Sequence, residues 1–167
     1  RKTWQQKSEY LSHLFAETYL RDIIARNNIR HPGELETLIT ILASAVGSLT
    51  NPKRIADTFK TGKSSSLSQV TVKSYLDFLE DAFLIHGVHR YDVKGRRNIS
   101  TPLKYYFEDV GLRNAKLNFR QQEENHIMEN IIYNELRKRG YNVDVGVVEK
   151  QVKQEDGKYQ RKQYEVD

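Results

Sequence analysis

The chain has 167 residues, enough for one domain or two small ones, of which 38% are hydrophobic and 29% are charged. It contains no cysteine, which excludes disulfides, thiol catalysis and cysteine-ligated zinc. The net charge of +5, with a pI near 9.3, is compatible with a nucleic-acid partner but too small to establish one. No apolar run approaches the roughly 20 residues that a membrane-spanning helix needs, and the composition is typical of a cytoplasmic protein.

The first half of the chain carries the spacing of amphipathic helices. Apolar residues recur at three- and four-residue intervals over residues 9–27, 34–46, 52–59 and 68–82, which predicts four helices. The residues expected at the helix ends are Gly47 after the second helix, Asn51–Pro52 before the third and Ser68 before the fourth.

The spacing changes from helical to strand-like after Phe83. Residues 84–93 and 96–100 alternate about a Lys94–Gly95 turn, which predicts a β-hairpin rich in cations. The aromatic run at residues 105–107 is expected to close this segment after the second strand.

The order of these elements favours one small fold. Three helices with a short turn between the second and third, followed by a hairpin, are typical of a winged helix. We therefore predict a winged-helix-like domain over residues 34–110. Residues 1–33 are expected to form a helical linker that precedes it.

Polar and cationic side chains on the third helix of this domain and on its hairpin are the candidates for contact with nucleic acid. They are Lys73, Lys94, Arg96 and Arg97, with Gln69 and Ser74 beside Lys73. Cations of a wing bind phosphates, and polar residues of a recognition helix read bases. Loop tips are often charged without binding anything, and three acids follow on the same helix. Packing against another protein domain is therefore an equal alternative.

The last third of the chain predicts the start of a second, α/β domain over residues 111–167. A helix is expected over residues 121–139, with an inward face formed by Ile127, Met128, Ile131, Ile132 and Leu136. Extended runs over residues 147–153 and 158–166 flank an Asp156–Gly157 pair, a strong hairpin signal. The fold class is therefore α+β. The second domain is expected to be truncated, because the chain ends directly after its second strand.

Six stretches resemble, in the same order, the region that follows the ATPase module in a group of predicted prokaryotic AAA+ ATPases. They are Tyr19–Ile24 (YLRDII), Asn51–Pro52, Val72–Leu84 (VKSYLDFLEDAFL), Lys104–Leu112 (KYYFEDVGL), Met128–Leu136 (MENIIYNEL) and Glu165–Asp167 (EVD). No single stretch is decisive, but the resemblance spans nearly the whole chain.

This resemblance implies a winged-helix-like part joined to a domain similar to PD-(D/E)XK nucleases. It also implies an ATPase module that uses ATP and Mg²⁺ in the full-length protein, with that module and double-stranded DNA as partners. The Walker A pattern G-x-x-x-x-G-K-[ST] does not occur in this sequence, and the Glu-x-Lys strand of the nuclease pattern is expected beyond Asp167. The 167 residues alone are thus expected to bind no cofactor and to be neither an ATPase nor a complete nuclease.

Glu129 and Asp167 match the helix acid and the strand acid of that family, which makes them the candidate catalytic and metal-binding residues. Nucleases of this kind hold Mg²⁺ with carboxylates, because Mg²⁺ prefers oxygen ligands. A helical wheel by itself favours Glu135, which lies near the centre of the predicted apolar face, whereas Glu129 lies at its edge. Both acids stay open as alternatives, and an acid at the end of a strand is also commonly structural.

Three functions follow from these observations. The first is a non-catalytic, DNA-associated module of an AAA+ ATPase. The second is a protein-interaction or regulatory region that packs on the ATPase module or on a partner protein. The third is a Mg²⁺-dependent nuclease in the full-length chain, which a Glu-x-Lys sequence shortly after Asp167 would favour.

Overall fold

The computed structural model describes residues 2–61, 67–120, 123–153 and 159–166, which form an α+β fold. Its helices are α1 (Trp4–His13), which continues through a π-helical segment (Leu14–Leu20) into α2 (Arg21–Arg26), and then α3 (Pro32–Ser44), α4 (Pro52–Thr61), α5 (Gln69–Asp81), α6 (Val110–Lys116) and α7 (Glu124–Lys138). Its strands are β1 (Ile85–Asp92), β2 (Arg97–Phe107), β3 (Val145–Lys153) and β4 (Tyr159–Val166). None of the described helices is long and apolar enough to cross a membrane.

Helices α4 and α5 begin at side chains that cap them. Asn51 Oδ1 accepts the Arg54 amide at 2.8 Å, and Ser68 Oγ accepts the Thr71 amide at 3.0 Å. With α3, these helices supply a large share of the hydrophobic core through Leu35, Leu38, Ile39, Leu42, Ile55, Phe59, Val72, Leu76 and Leu79. Burying one such side chain contributes roughly 1.5–3 kcal/mol, so this core is the main source of stability.

The four described strands form one mixed sheet in the order β2-β1-β3-β4. β1 pairs with β2 and β3 pairs with β4 in antiparallel fashion. β1 and β3 run parallel, but only over residues 90–92 and 145–147. One sheet therefore contains strands from both sides of residue 110, where the sequence predicts the boundary between two domains.

Helices pack on both faces of this sheet. On one face, the Gly87 amide of β1 donates to Glu80 of α5, and the Tyr105 ring borders the same glycine. On the other face, Tyr106 stacks on Tyr133 of α7, with 4.6 Å between the ring centroids. Because successive side chains of a strand point to opposite faces, β2 contributes to both interfaces.

The elements expected from the sequence lie within a few residues of those found. The helices predicted over residues 34–46, 52–59 and 68–82 correspond to α3, α4 and α5, and the first hairpin turns at Lys94–Gly95 as predicted. β3 and β4 also correspond to the predicted extended runs, while the Asp156–Gly157 turn lies outside the described residues.

One local expectation is wrong, and one helix was not predicted. The aromatic run at residues 105–107 does not follow the hairpin but forms the buried end of β2. Helix α6 has no counterpart in the predicted elements, although Asp109 caps it by accepting the Leu112 amide at 3.0 Å. Its Arg113 is buried and donates from Nε to the Ala43 carbonyl at 2.8 Å, which ties α6 to α3.

The predicted inward face of α7 is also wrong. Met128, Ile131 and Ile132 are 52–57% exposed, and the buried residues of the helix are Asn130 and Tyr133. Asn130 accepts the Phe107 amide at 2.9 Å and donates to the Phe107 carbonyl at 2.7 Å, as a neighbouring strand would. Satisfying this buried backbone at the edge strand β2 orients α7 more strongly than its apolar stripe does.

Candidate functional site

Three charged side chains from three elements meet on the sheet face that carries α7. Lys104 of β2 is only 3% exposed, and its Nζ donates to Glu129 Oε1 of α7 at 2.8 Å. The same Nζ lies 3.3 Å from Glu165 Oε2 of β4. A buried charge is costly unless it is paired, and these two carboxylates offset that cost. We call Lys104, Tyr106, Glu129 and Glu165 the Lys104 cluster.

Glu129 makes further contacts beside Lys104. Its Oε1 also accepts the Tyr106 hydroxyl, and His126 Nδ1 lies 3.9 Å from its Oε2. A Cβ atom at Gly47, in the loop after α3, would lie 3.1 Å from both Glu129 Oε2 and His126 Nδ1. Gly47 has a φ of +72°, which glycine adopts without strain. This loop therefore closes one side of the Glu129 carboxylate.

Strand alternation and sheet curvature bring the Lys104 cluster together. Lys104 and Tyr106 are two residues apart on β2, so both point toward α7. β2 and β4 are the outer strands of the sheet, with β1 and β3 between them. The contact between Lys104 and Glu165 thus reaches across the width of the sheet, which requires the sheet to curl around this face.

The described residues of the cluster fit an ammonium group better than a metal ion. No three Asp, Glu, His or Cys side chains converge for metal binding in the described ranges. Glu129 and Glu165 each direct an oxygen to Lys104 Nζ, so a cation already lies between them. As they stand, these residues do not fit the Mg²⁺ that the nuclease resemblance implies.

The three candidate acids have different surroundings. Glu129 lies in the cluster, with its side chain 20% exposed. Glu135, which the helical wheel favours, lies on the exposed side of α7 and accepts Arg139 Nε at 2.8 Å. Asp167 lies outside the described residues. The structure thus brings Glu129 to the sheet and places Glu135 on the outer surface of the helix.

Tyr133 supports the same face of α7. Its ring stacks on Tyr106, and Arg137 lies over it at 5.8 Å from the ring centroid. Burial raises the pKa of the Tyr133 phenol above its ordinary value of 10.0, so the ring stays neutral at physiological pH. Tyr106, whose hydroxyl donates to Glu129, therefore belongs to a packed aromatic pair, and this packing holds the hydroxyl in position.

The hairpin cations predicted to contact nucleic acid are exposed. Lys94 and Arg96 lie in the turn between β1 and β2, and Arg97 is the first residue of β2. Asp92 organises this turn, because its Oδ1 accepts the amides of Gly95 at 2.9 Å and Lys94 at 3.2 Å. These backbone hydrogen bonds, that of Gly95 above all, lower the Asp92 pKa, and Arg97 Nε lies 3.5 Å from the carboxylate.

The candidate residues of α5 lie near its N-terminus. Gln69 and Lys73 are exposed, and Lys73 Nζ lies 3.1 Å from Asp77 one turn later. Ser74 donates instead to the Val70 carbonyl of its own helix at 3.2 Å. A shallow depression between α4 and α5 is lined in part by Lys53, Lys60, Ser68 and Gln69. The exposed start of α5 therefore lies beside two lysines of α4.

Sequence reasoning missed three members of the Lys104 cluster. Lys104 and Tyr106 occupy alternate positions in the run Leu103–Phe107, and a lysine inside such an apolar and aromatic run needs an acidic partner. That signal was available. No sequence pattern indicates that Glu165 is one of the partners, because their contact depends on the curl of the sheet.

Comparison with known proteins identifies a family and relatives without a described activity. The family described as "Domain of unknown function (DUF8612)" matches residues 1–123. An "Uncharacterized protein" of Haemophilus influenzae is 37% identical over 140 residues, which are 84% of this chain and 35% of that protein. "Uncharacterized protein MJ1544" of Methanocaldococcus jannaschii is 30% identical over 162 residues, which are 96% of this chain and 33% of that protein.

The chain spans about a third of the length of these two curated relatives. It therefore corresponds to one region of each of these longer prokaryotic proteins. No solved structure matches the chain.

Proposed function

The chain belongs to the DUF8612 family, and we propose that it is a non-catalytic, DNA-associated module of a larger prokaryotic ATPase. In this proposal α5 is the recognition helix of a winged helix, and the β1–β2 hairpin is its wing. The observation that carries the proposal is the outward side of α5. Gln69, Val70 and Lys73 are exposed there, so no described element covers the position from which a recognition helix reads DNA.

Charge near these two elements supports contact with phosphates. Lys53 and Lys60 of α4 flank the start of α5, where a helix–turn–helix approaches the DNA backbone. Lys94 and Arg96 are exposed in the turn of the hairpin. Arg97, with 73% of its side chain exposed, is held by Asp92 in a position from which its guanidinium remains accessible.

The non-catalytic part of the proposal is supported by the Lys104 cluster. Two-metal cleavage of DNA needs several oxygens that converge on the ions. Here Lys104 pairs with both Glu129 and Glu165, and the interaction holds α7 against both outer strands of the sheet. We therefore propose that the cluster is a structural clamp in a nuclease-like framework.

The ATPase part of the proposal rests on the resemblance and on length. The chain covers 35% and 33% of its two curated relatives, which leaves room in them for an ATPase module. ATP and Mg²⁺ would then be cofactors of that module, which would also be the covalently linked partner of this region.

Salt-dependent binding of duplex DNA tests the proposal. The variant Lys94→Gln/Arg96→Gln/Arg97→Gln should bind more weakly than the native chain. The slope of log affinity against log salt should fall by up to roughly 3, because each lost phosphate contact removes about 0.9. A matched variant, Lys2→Gln/Lys7→Gln/Arg30→Gln, removes the same charge from exposed positions far along the sequence and should leave the slope nearly unchanged.

Equal loss of the salt slope in the two triple variants would show that only net charge matters, and the wing assignment would be wrong.

Plasmid incubated with the protein and Mg²⁺ or Mn²⁺ should remain supercoiled. Cleavage that is lost in Glu129→Ala would contradict the non-catalytic part and favour the nuclease alternative.

A protein-interaction module is the second candidate, favoured by the exposed apolar face of α7. Met128, Ile131 and Ile132 are each more than half exposed on one side of the helix. Such a face is typical of a surface that packs on another protein domain. The absence of DNA binding by the native chain at low salt would favour this function over the first.

A further inference from the structure

A second cationic surface lies on the β3–β4 hairpin, outside the predicted winged helix. We propose that this surface, formed by Lys150, Lys162 and Tyr164 and called here the arm face, binds the phosphate backbone of duplex DNA. The inference rests on the proposed function, because it extends the DNA contact that the β1–β2 hairpin begins.

The outer parts of β3 and β4 form a two-stranded arm. The two strands pair over residues 146–153 and 159–166, whereas β3 pairs with β1 only over residues 145–147. Beyond Val147 the arm therefore continues without support from β1. A two-stranded ribbon of this kind is narrow enough to lie along or within the major groove of B-DNA.

The arm face carries two lysines directly opposite each other. Lys150 and Lys162 are cross-strand partners, so their side chains lie on the same face, where like charges destabilise a sheet. Its other described residues beyond Val147 are Val148, Val152, Gln160 and Tyr164, and none of these is an acid. Lys150 Nζ lies 5.8 Å from the centroid of the Tyr164 ring, which is 46% exposed. A polyanion would relieve the repulsion that the free protein leaves in place.

The opposite face of the arm holds its described acids. Glu165 meets Lys104, and Gln163 accepts Arg90 Nη2 at 2.9 Å while donating to Glu149 Oε1 at 2.6 Å. Alternate residues of β4 are thus divided between a face that packs against the protein and a face that points outward. This division of charge makes the arm face complementary to a polyanion, although the whole chain is only moderately basic.

The arm face begins beside the turn of the β1–β2 hairpin. The Val93 amide donates to the Val147 carbonyl at 3.1 Å, which places the residue before Lys94 against the start of the arm. The cations of the hairpin and the lysines of the arm therefore lie in adjoining parts of the structure. A single duplex that contacts Lys94 and Arg96 can continue onto Lys150 and Lys162.

Binding of duplex DNA by the arm variant Lys150→Gln/Lys162→Gln tests the inference. The salt slope should fall by about 1.8, since two phosphate contacts are removed, and affinity at physiological salt should fall on the order of tenfold. The matched control Lys2→Gln/Lys7→Gln removes the same charge from exposed positions in and just before α1 and should keep the native slope. The same series includes the triple variant of the β1–β2 hairpin.

A second variant separates binding from folding. Lys162→Glu places an opposite charge across from Lys150, so it should stabilise the arm while weakening DNA binding. Amide hydrogen exchange of Val148 and Val152, whose backbone groups pair with Tyr164 and Gln160 of β4, should therefore be unchanged or slower in this variant. Weaker binding together with a native or more protected arm supports the inference and excludes local unfolding as the cause.

The outcomes distinguish the inference from the proposed function. A native salt slope in the arm variant, with a reduced slope in the hairpin triple variant, would overturn the inference and leave the proposed function standing. A reduced slope in the arm variant, with a native slope in the hairpin triple variant, would support DNA binding by the arm face and overturn the wing assignment. Equal losses in the arm variant and its control, or no binding by the native chain at low salt, would overturn the inference. An acidic protein partner would be the remaining explanation for the charge on the arm face.

Discussion

Different interactions stabilise two parts of the molecule. The first part, up to residue 120, contains α1 to α6 with β1 and β2, and the second part, after residue 123, contains α7, β3 and β4. Among the described residues after 123, the buried apolar side chains are those of Tyr133, Val145 and Val147. The same part leaves other large apolar side chains exposed, namely Met128, Ile131, Ile132, Tyr141, Tyr159 and Tyr164. The first part therefore contains most of the hydrophobic core, and the second part is attached to it.

Directional polar contacts make much of that attachment. Lys104 joins α7 and β4 to β2, and Asn130 bonds to both backbone groups of Phe107. Apolar burial contributes more free energy but little direction, whereas a buried hydrogen bond contributes less and defines a geometry. These polar contacts therefore define the position of the second part, while the free energy of apolar burial comes mainly from the first part.

Truncation in the helical core should have the largest effect on stability. Leu38 is fully buried, so Leu38→Ala should lower the free energy of unfolding by about 2–5 kcal/mol. The matched change Ile131→Ala, at a residue 52% exposed on α7, should stay within about 0.5 kcal/mol of the native value. Urea unfolding measures both. A large loss of unfolding free energy in Ile131→Ala would contradict this difference between the two parts, because it would mean that the outer face of α7 is buried in solution.

Removal of the buried cation should have an intermediate effect. Lys104→Met leaves Glu129 and Glu165 facing each other and should cost about 1–3 kcal/mol, less than for a fully buried pair because these carboxylates are 20% and 28% exposed. Adding Glu129→Gln should restore part of the loss, giving a coupling free energy of at least about 0.5 kcal/mol in urea unfolding. Simple additivity of the two changes would show that the clamp does not exist.

Protonation of Asp92 should have the smallest effect, and it should act on the turn of the β1–β2 hairpin. The Asp92 pKa is lowered in the folded chain, so the ionised carboxylate stabilises the turn above the ordinary value of 3.8. That stabilisation is lost as the pH falls below this value and through the folded pKa. Amide exchange at Lys94 and Gly95, followed from about pH 5 down to about pH 2, should show the turn opening. Asp92→Asn should remove this pH dependence, and a turn that opens equally in both proteins would contradict the assignment.

Local signals in the sequence predicted the helical part well. Asn51 and Ser68 are caps that act on amides three residues away, and the apolar spacing of α3 and α5 matches the side chains that are buried. The Lys94–Gly95 turn is likewise a local feature, closed by Asp92. These elements were predictable because the interactions that define their ends lie within a few residues.

The site was predicted only in part. Glu129 was identified through its family resemblance, while the apolar stripe of α7 pointed to Glu135 and to the wrong face of the helix. The stripe misleads because α7 packs on the edge of a sheet whose backbone needs hydrogen-bond partners, and Asn130 supplies them. A count of apolar spacing treats every apolar residue as inward. It gives no weight to backbone groups of a neighbouring strand that need hydrogen-bond partners.

Patterns within the sequence predict the type and approximate ends of most elements and the basic turn at Lys94–Gly95. Tertiary contacts place β1 and β3 in one sheet, turn Asn130 and Tyr133 of α7 inward and bring Lys104 to Glu165. These two sets of features differ because the interactions behind them act over different separations along the chain. Caps, turns and periodicity act over a few residues, whereas strand order and sheet curl depend on which distant segments satisfy each other's buried polar groups.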